Sequence, residues 1–138
     1  MVLLGSAKES DLCQEIAVAV NAGQSGKCQN LAGKTSLTDA FNVIAAAQCM
    51  VSNDSGLMHV AAALAVRQVA LFGSSSPLQT PPLNDKASVL WLKNNPAYQP
   101  ALDCAPCFAR QCPFGHTRCL ADIEVATVLE NISTVLPD

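Results

Sequence analysis

Apolar positions recur along this chain in two periods, short continuous runs alternating with stretches at helical spacing. Val2-Leu3-Leu4 reads as a short buried strand. Lys8 to Asn21 then reads as a helix with apolar positions Leu12, Ile16, Val18 and Val20, ended by the Asn21-Ala22-Gly23 turn. Cys28 to Leu31 is a weaker strand candidate. Ser36-Leu37-Thr38-Asp39 resembles a capping box, opening a helix with Leu37, Ala40, Phe41, Ile44 and Ala45 on one face. Cys49 to Ser52 forms the next strand, Asn53 to Gly56 a turn rich in helix-start residues, and Leu57, Val60, Ala61 and Leu64 continue at helical spacing. Gln68 to Phe72 is a further strand, Gly73 to Pro77 a loop, and Ser88 to Leu92 a last strand. Residues 93–121 show no periodicity, and Val125, Leu129, Ile132 and Leu136 mark a C-terminal amphipathic helix. Strands alternating with helices require crossovers, which predicts an α/β fold with a parallel sheet and helices on both faces. The expected organisation is one domain over residues 1–138, with a Cys-rich coil at 100–120 and a helix at 121–136.

Composition narrows the partners. The chain has 138 residues, half of them apolar, enough for one buried core. Charged residues make up 14%, the net charge is −3 and aromatic residues are 4%, which argues against a nucleic-acid binder. The apolar start is too short for a signal peptide or a membrane span. It reads as a strand entered without preamble, with further elements expected upstream. Seven cysteines, an odd number, in a chain with an adequate core favour a reducing compartment, with thiols free or metal-bound.

In an open parallel sheet, ligands bind beyond the carboxyl ends of the strands. Three such ends carry polar turns: Gly5-Ser6-Ala7-Lys8, Asn53-Asp54-Ser55-Gly56 and Gly73-Ser74-Ser75-Ser76. The middle one matters most. A helix starting near Ser55 presents unpaired amides and a partial positive charge suited to phosphate. Gly56 lets a ligand approach the backbone, and His59 stands about one turn along. The structural alternatives are Asp54 as an N-cap, Gly56 as a packing residue, His59 as a surface histidine and Lys8 as a solvated one.

The stretch from Thr35-Ser36-Leu37 through Ser52-Asn53-Asp54-Ser55-Gly56-Leu57-Met58-His59 to Ala70-Leu71-Phe72-Gly73 resembles the donor-binding core of the ADP-heptose:lipopolysaccharide heptosyltransferases. The Leu3-to-Lys8 start and the Cys104-Ala105-Pro106-Cys107 segment, continuing to Cys119, are similar to the heptosyltransferase II branch. The resemblance implies a GT-B architecture, with two Rossmann-like domains across a cleft and this chain as the C-terminal, donor-holding half. It implies that Asp54 contacts the donor sugar or its diphosphate region, that Ser55, Gly56 and Leu57 offer backbone groups to the phosphates, and that His59 lies beside them. Thr35 would sit near the nucleoside, and Gly5, Ser6, Lys8 and Glu9 would line its ribose and base side. The donor would be ADP-L-glycero-D-manno-heptose and the acceptor a lipid A–core, bound through another domain. No cofactor, resident metal, nucleic acid or transmembrane segment is implied, and the location would be cytoplasmic, where the inner face of the bacterial inner membrane is within reach.

The family's preceding strand, with its glycine-rich turn and lysine, has no counterpart before Met1, and no general base is assigned in this chain. Heptose transfer needs that base as well as a stabilised diphosphate, so no catalytic residue is expected here. Cys104, Cys107, Cys112 and Cys119, with His116 between the last two, form a dense set of soft ligands. Thiolates so spaced can close a tetrahedral zinc site, although only the first pair has the familiar C-x2-C interval. Reduced buried cysteines and disulfides formed on oxidation are the alternatives. Cys13, Cys28 and Cys49 are expected in the core. Two other functional classes fit the same residues: a non-catalytic ADP-binding fragment, and a Cys-rich interaction module on an α/β scaffold. Heptose transfer by these 138 residues alone is not expected; a transfer assay with ADP-heptose and a lipid A–core acceptor checks this.

Overall fold

The computed structural model describes residues 1–23 and 27–136. They form two compact units, Met1–Val43 and Ile44–Asp138. In the first, β1 (Val2–Leu3) leads through a 3-10 turn (Ala7–Glu9) into α1 (Ser10–Ala22), followed by β2 (Gln29–Asn30). α2 (Leu37–Ala45) runs across the boundary. In the second come β3 (Met50–Asn53), α3 (Gly56–Ala63), β4 (Gln68–Phe72), β5 (Ala87–Trp91), α4 (Arg118–Ala121) and α5 (Val125–Val135). All ladders are parallel, β1 with β2 and β3-β4-β5 in that order. The expected α/β class and element order therefore hold, with the strands in two ladders. No helix among the described residues is long and apolar enough to cross a membrane.

α1 is where the apolar pattern misleads. Leu12, Ile16 and Val18 are exposed, and the buried residues are Cys13 and Ala17. The seat of the helix is polar. Asn30 Nδ2 donates to the Ser10 carbonyl at 3.0 Å and to Gln14 Oε1 at 3.2 Å, while Asn21 exchanges two hydrogen bonds with the Cys28 backbone. Residues 10, 14, 17 and 21 lie one or two turns apart and so share a face with Cys13. Those bonds turn it toward β2, and the small Ala17 lets the helix come close. Cys28 is also buried, whereas Cys49 is half-buried just before β3.

α2 begins as its sequence indicates. Ser36 N and Oγ both donate to Asp39 Oδ2, and the Asp39 amide returns a bond to Ser36 Oγ at 3.1 Å, a complete capping box. Ala40 and Ile44 are buried, whereas Leu37 is exposed at the helix end.

In the second unit the core is built on β4, whose Gln68, Val69, Ala70 and Phe72 are buried. Met58 from α3 packs with Ala70 and Phe72, and Trp91 of β5 closes the cluster. Burying side chains of this size stabilises by about 1.5–3 kcal/mol each. Gln68 is fully buried yet satisfied. With its amide nitrogen facing the Met58 carbonyl it donates there at 3.2 Å, and its oxygen accepts from the Ala62 amide at 3.3 Å. The C-terminal helix is divided: α4 ends at Ala121 and α5 starts at Val125. Val125 and Leu129 are exposed, and Asn131, reached by the Ser88 hydroxyl, lies on the inward side. That polar bond and the half-buried Val128, Ile132 and Val135 set the rotation of α5.

Two substitutions separate the polar seat of α1 from its apolar stripe. Ala17→Leu should overpack the interface and cost about 1–3 kcal/mol. Leu12→Ser should stay within about 0.5 kcal/mol, both read by urea denaturation. Gly33 has φ +71° and a side-chain carbon there would stand 2.7 Å from Ala7 Cα. Gly33→Ala should therefore cost at least the ~1–2 kcal/mol of a left-handed non-glycine residue.

Candidate functional site

The expected site residues fall into two sets, one in each unit. In the first unit the set forms because β1 and β2 end side by side. Leu31 N donates to Leu3 O at 3.0 Å and Gly33 N to Gly5 O at 2.9 Å, extending the parallel pairing past both strands. Gly5, Ser6, Lys8 and Glu9 thus lie at one carboxyl edge, with the Leu31–Lys34 turn beside them, closed by Lys34 N donating to Leu31 O at 3.0 Å, and Thr35 following it. Glu9 is already engaged: its Oε2 accepts from Ser6 N at 2.7 Å and Ser6 Oγ at 2.8 Å. The Ser6 amide, then the Ser6 hydroxyl, hold the Glu9 carboxyl below its ordinary value. Glu9 therefore shapes its own loop, leaving the exposed Lys8 and half-buried Thr35 with freer side chains. Gly33 was not singled out by its sequence setting. Its role rests on a left-handed backbone and a close approach to Ala7, which only the fold displays.

In the second unit, β3 runs into α3 through Asp54 and Ser55 alone. Ser55 is the N-cap: it is extended (φ −155°, ψ 166°), and its side chain accepts from Met58 N at 3.4 Å. The expected alternative of Asp54 as cap is thereby replaced, because its backbone still belongs to the sheet edge, Asp54 N donating to Leu71 O at 3.2 Å. Its carboxylate is turned to the loop after β4, where Oδ2 accepts from Thr80 Oγ1 at 3.2 Å. Gly56 is exposed, and a side-chain carbon on it would meet nothing within 4 Å, so packing does not demand glycine here. The first amides of α3 lack intrahelical acceptors, and Ser55 takes up that of Met58. Gly56 and Leu57 are left to present their amides to the open side. His59 is exposed and Leu57 half-buried. The carboxyl edge therefore combines helix amides able only to donate with a carboxylate able only to accept.

The serine loop serves differently. Gly73 is a packing glycine, since a side-chain carbon there would stand 2.5 Å from Leu120 Cγ of α4. Ser76 is buried, its Oγ accepting from Leu78 N at 3.3 Å, and Ser74 O accepts from Phe108 N at 2.8 Å. Thr80, which reaches Asp54, was missed in the sequence because nothing local marks a threonine 26 residues away as its partner.

Beyond that loop, Arg118 donates to Asp122 Oδ2 at 3.2 Å and to the Tyr98 hydroxyl at 2.7 Å, and Tyr98 donates to Asp122. Cys104, Cys107, Cys112 and Cys119 line a hollow of about 120 Å3 together with His116 and Arg110. Backbone amides, that of Thr117 first, hold the Cys112 thiol below its usual value. Burial, then the neighbouring thiols of Cys107, Cys104 and Cys112, push that of Cys119 up.

Because folding lowers the Glu9 pKa, its contribution to stability is complete above the unfolded value and fades as pH falls through the lowered native one. Glu9→Gln should flatten the decline of the melting temperature between about pH 6 and about pH 3, as measured by calorimetry.

The model of glycosyltransferase family 9 (heptosyltransferase) matches residues 1–118. Lipopolysaccharide heptosyltransferase 2 of Salmonella typhimurium is 44% identical over 138 residues, covering 100% of this chain and 37% of that protein. Among solved structures, Escherichia coli ADP-heptose lps heptosyltransferase II superposes with a TM-score of 0.75 at 42% identity, covering 97% of this chain and 35% of that one. A family 9 glycosyltransferase from Veillonella parvula shares the fold, with a TM-score of 0.73 at 22% identity. The chain spans little more than a third of these relatives' length. With nearly all of its residues matched in order, and with the α/β arrangement in common, the chain belongs to glycosyltransferase family 9, the heptosyltransferases.

Proposed function

We propose that this chain is the donor-binding part of a cytoplasmic GT-B enzyme that adds heptose to the lipopolysaccharide inner core, with ADP-heptose as the donor. The observation that carries the reading is the open amide end of α3 at the carboxyl edge of β3, with free space beside Gly56 and the Asp54 carboxylate next to it. Diphosphate oxygens accept hydrogen bonds, so they go to the amides of Gly56 and Leu57, where the helix dipole favours negative charge. A carboxylate would repel them. Asp54 therefore takes the sugar, accepting from its hydroxyls as it accepts from Thr80. His59, exposed one turn further on, adds a donor on the same side. On the family resemblance alone, Thr35, Gly5, Ser6, Lys8 and Glu9 are assigned to the nucleoside. The leaving diphosphate gains charge during transfer, so donors already fixed at that position lower the barrier. The lipid-linked acceptor and the general base belong to other parts of the enzyme.

Calorimetric titration with ADP, UDP and GDP tests the reading, ADP being expected to bind at least about tenfold more tightly, or 1.4 kcal/mol. Gly56→Val should weaken ADP by a similar factor with an unchanged melting temperature, because no protein atom occupies the space the new side chain enters. Asp54→Asn should weaken ADP-heptose more than ADP. Absence of binding by all three nucleotides, in folded protein, would overturn the assignment.

A further inference from the structure

The hollow beside α4 gathers more soft ligand groups than thiol packing requires. Cys104, Cys107, Cys112 and Cys119 all line it, and all are reduced. Cys104, Cys112 and Cys119 are half-buried and Cys107 is exposed, so none of them serves as an ordinary core residue. The segment that carries them has little else to hold it, its buried apolar residues being Leu102 and Ala105. One feature beside the sulfurs suits a thiolate. His116 stands with Nε2 3.8 Å from Cys104 Sγ.

His116 also shows which groups would be ligands. Its Nδ1 accepts from the Arg118 amide at 3.1 Å, so in the neutral ring the proton sits on Nε2. That nitrogen therefore points an N–H at the Cys104 sulfur and is not a free donor to a metal. The imidazole is placed to hydrogen-bond a coordinated thiolate from outside, as groups around metal centres commonly do.

We propose that Cys104, Cys107, Cys112 and Cys119 bind one structural zinc ion, with His116 as an outer hydrogen-bond donor that supports the Cys104 thiolate. The four thiols lose their protons as four zinc–sulfur bonds form, giving a tetrahedral site. Among the described residues no three such side chains are already arranged to hold an ion. The four cysteines line one hollow, and closing the site requires their sulfurs to move from the positions they hold here. The ion then fastens the coil to the loop after β4, to which Phe108 N is bonded through Ser74 O. The site is structural, is independent of the donor reading, and supplies the coil with the cross-link that its apolar content does not.

The test is elemental analysis of the whole chain, purified under reducing conditions without chelators. About one zinc per chain is expected. Cys112→Ser and Cys119→Ser should abolish stoichiometric zinc, and Cys13→Ser, in α1, should retain it. His116→Gln should keep the stoichiometry with zinc affinity lowered by no more than about ten- to hundredfold. Should the cysteine variants fail to fold, cobalt substitution of the wild type reports directly, a thiolate-to-cobalt charge-transfer band being expected. Wild-type protein that carries no zinc and takes none up, or disulfides among these cysteines in reduced preparations, would refute the site. So would full loss of zinc in His116→Gln with retention in Cys119→Ser. ADP titration of the same samples keeps failure of the zinc site distinct from failure of the donor assignment.

Discussion

Strand β4 is hydrogen-bonded on both edges, to β3 and to β5, and its faces are closed by side chains from the helices around it. A parallel strand so placed tolerates no polar group without a partner. Gln68 meets that condition by bonding to the backbone of α3, at Met58 and Ala62. The same contact that satisfies a buried amide fixes the rotation and the height of α3 on the sheet. Met58, Ala61 and Ala62 then face inward, and two of them are small enough for close approach. With only Asp54 and Ser55 between β3 and the helix, its amide end has one place to be, the carboxyl edge of the strands.

From that seating follows a division of labour in the turn. The N-cap position falls on Ser55, which frees the Asp54 carboxylate from capping and leaves it to Thr80. Donors and acceptor are thereby separated: the helix start gives hydrogen bonds, and the side chain before it receives them. In the other unit the balance is reversed. Glu9 accepts from the Ser6 amide and hydroxyl, which orders the loop.

The Cys-rich coil meets a different constraint. It has no ladder and few apolar side chains, so its order comes from polar and local contacts. Arg118 lies over the Tyr98 ring, 5.4 Å from its centroid, and both bond to Asp122. Asp122 is accordingly held below the usual carboxylate range, first by Tyr98 and then by Arg118. Gly73 admits Leu120 against the sheet edge. These contacts anchor the ends of the coil and leave the sulfur-lined hollow between them.

The sequence determined the element order, the α/β class and the turn at residues 53–56, because period, length and capping residues are local properties. The Ser36–Asp39 box could be read directly, since both partners lie within one turn. The motif around Asp54 and His59 pointed to the family for the same reason. What the tertiary structure decided was orientation. Leu12, Ile16 and Val18 form the apolar stripe of α1, yet Asn30 and Asn21 seat the helix through Cys13 and Ala17 instead. Likewise Asp54 and Ser55 are equally good caps by residue type, and only the Asp54–Leu71 backbone bond and Thr80 assign their roles. Hydrogen bonds between segments distant in sequence leave no periodic trace, so the chain's pattern names its elements while its long-range polar contacts choose the faces they turn to one another.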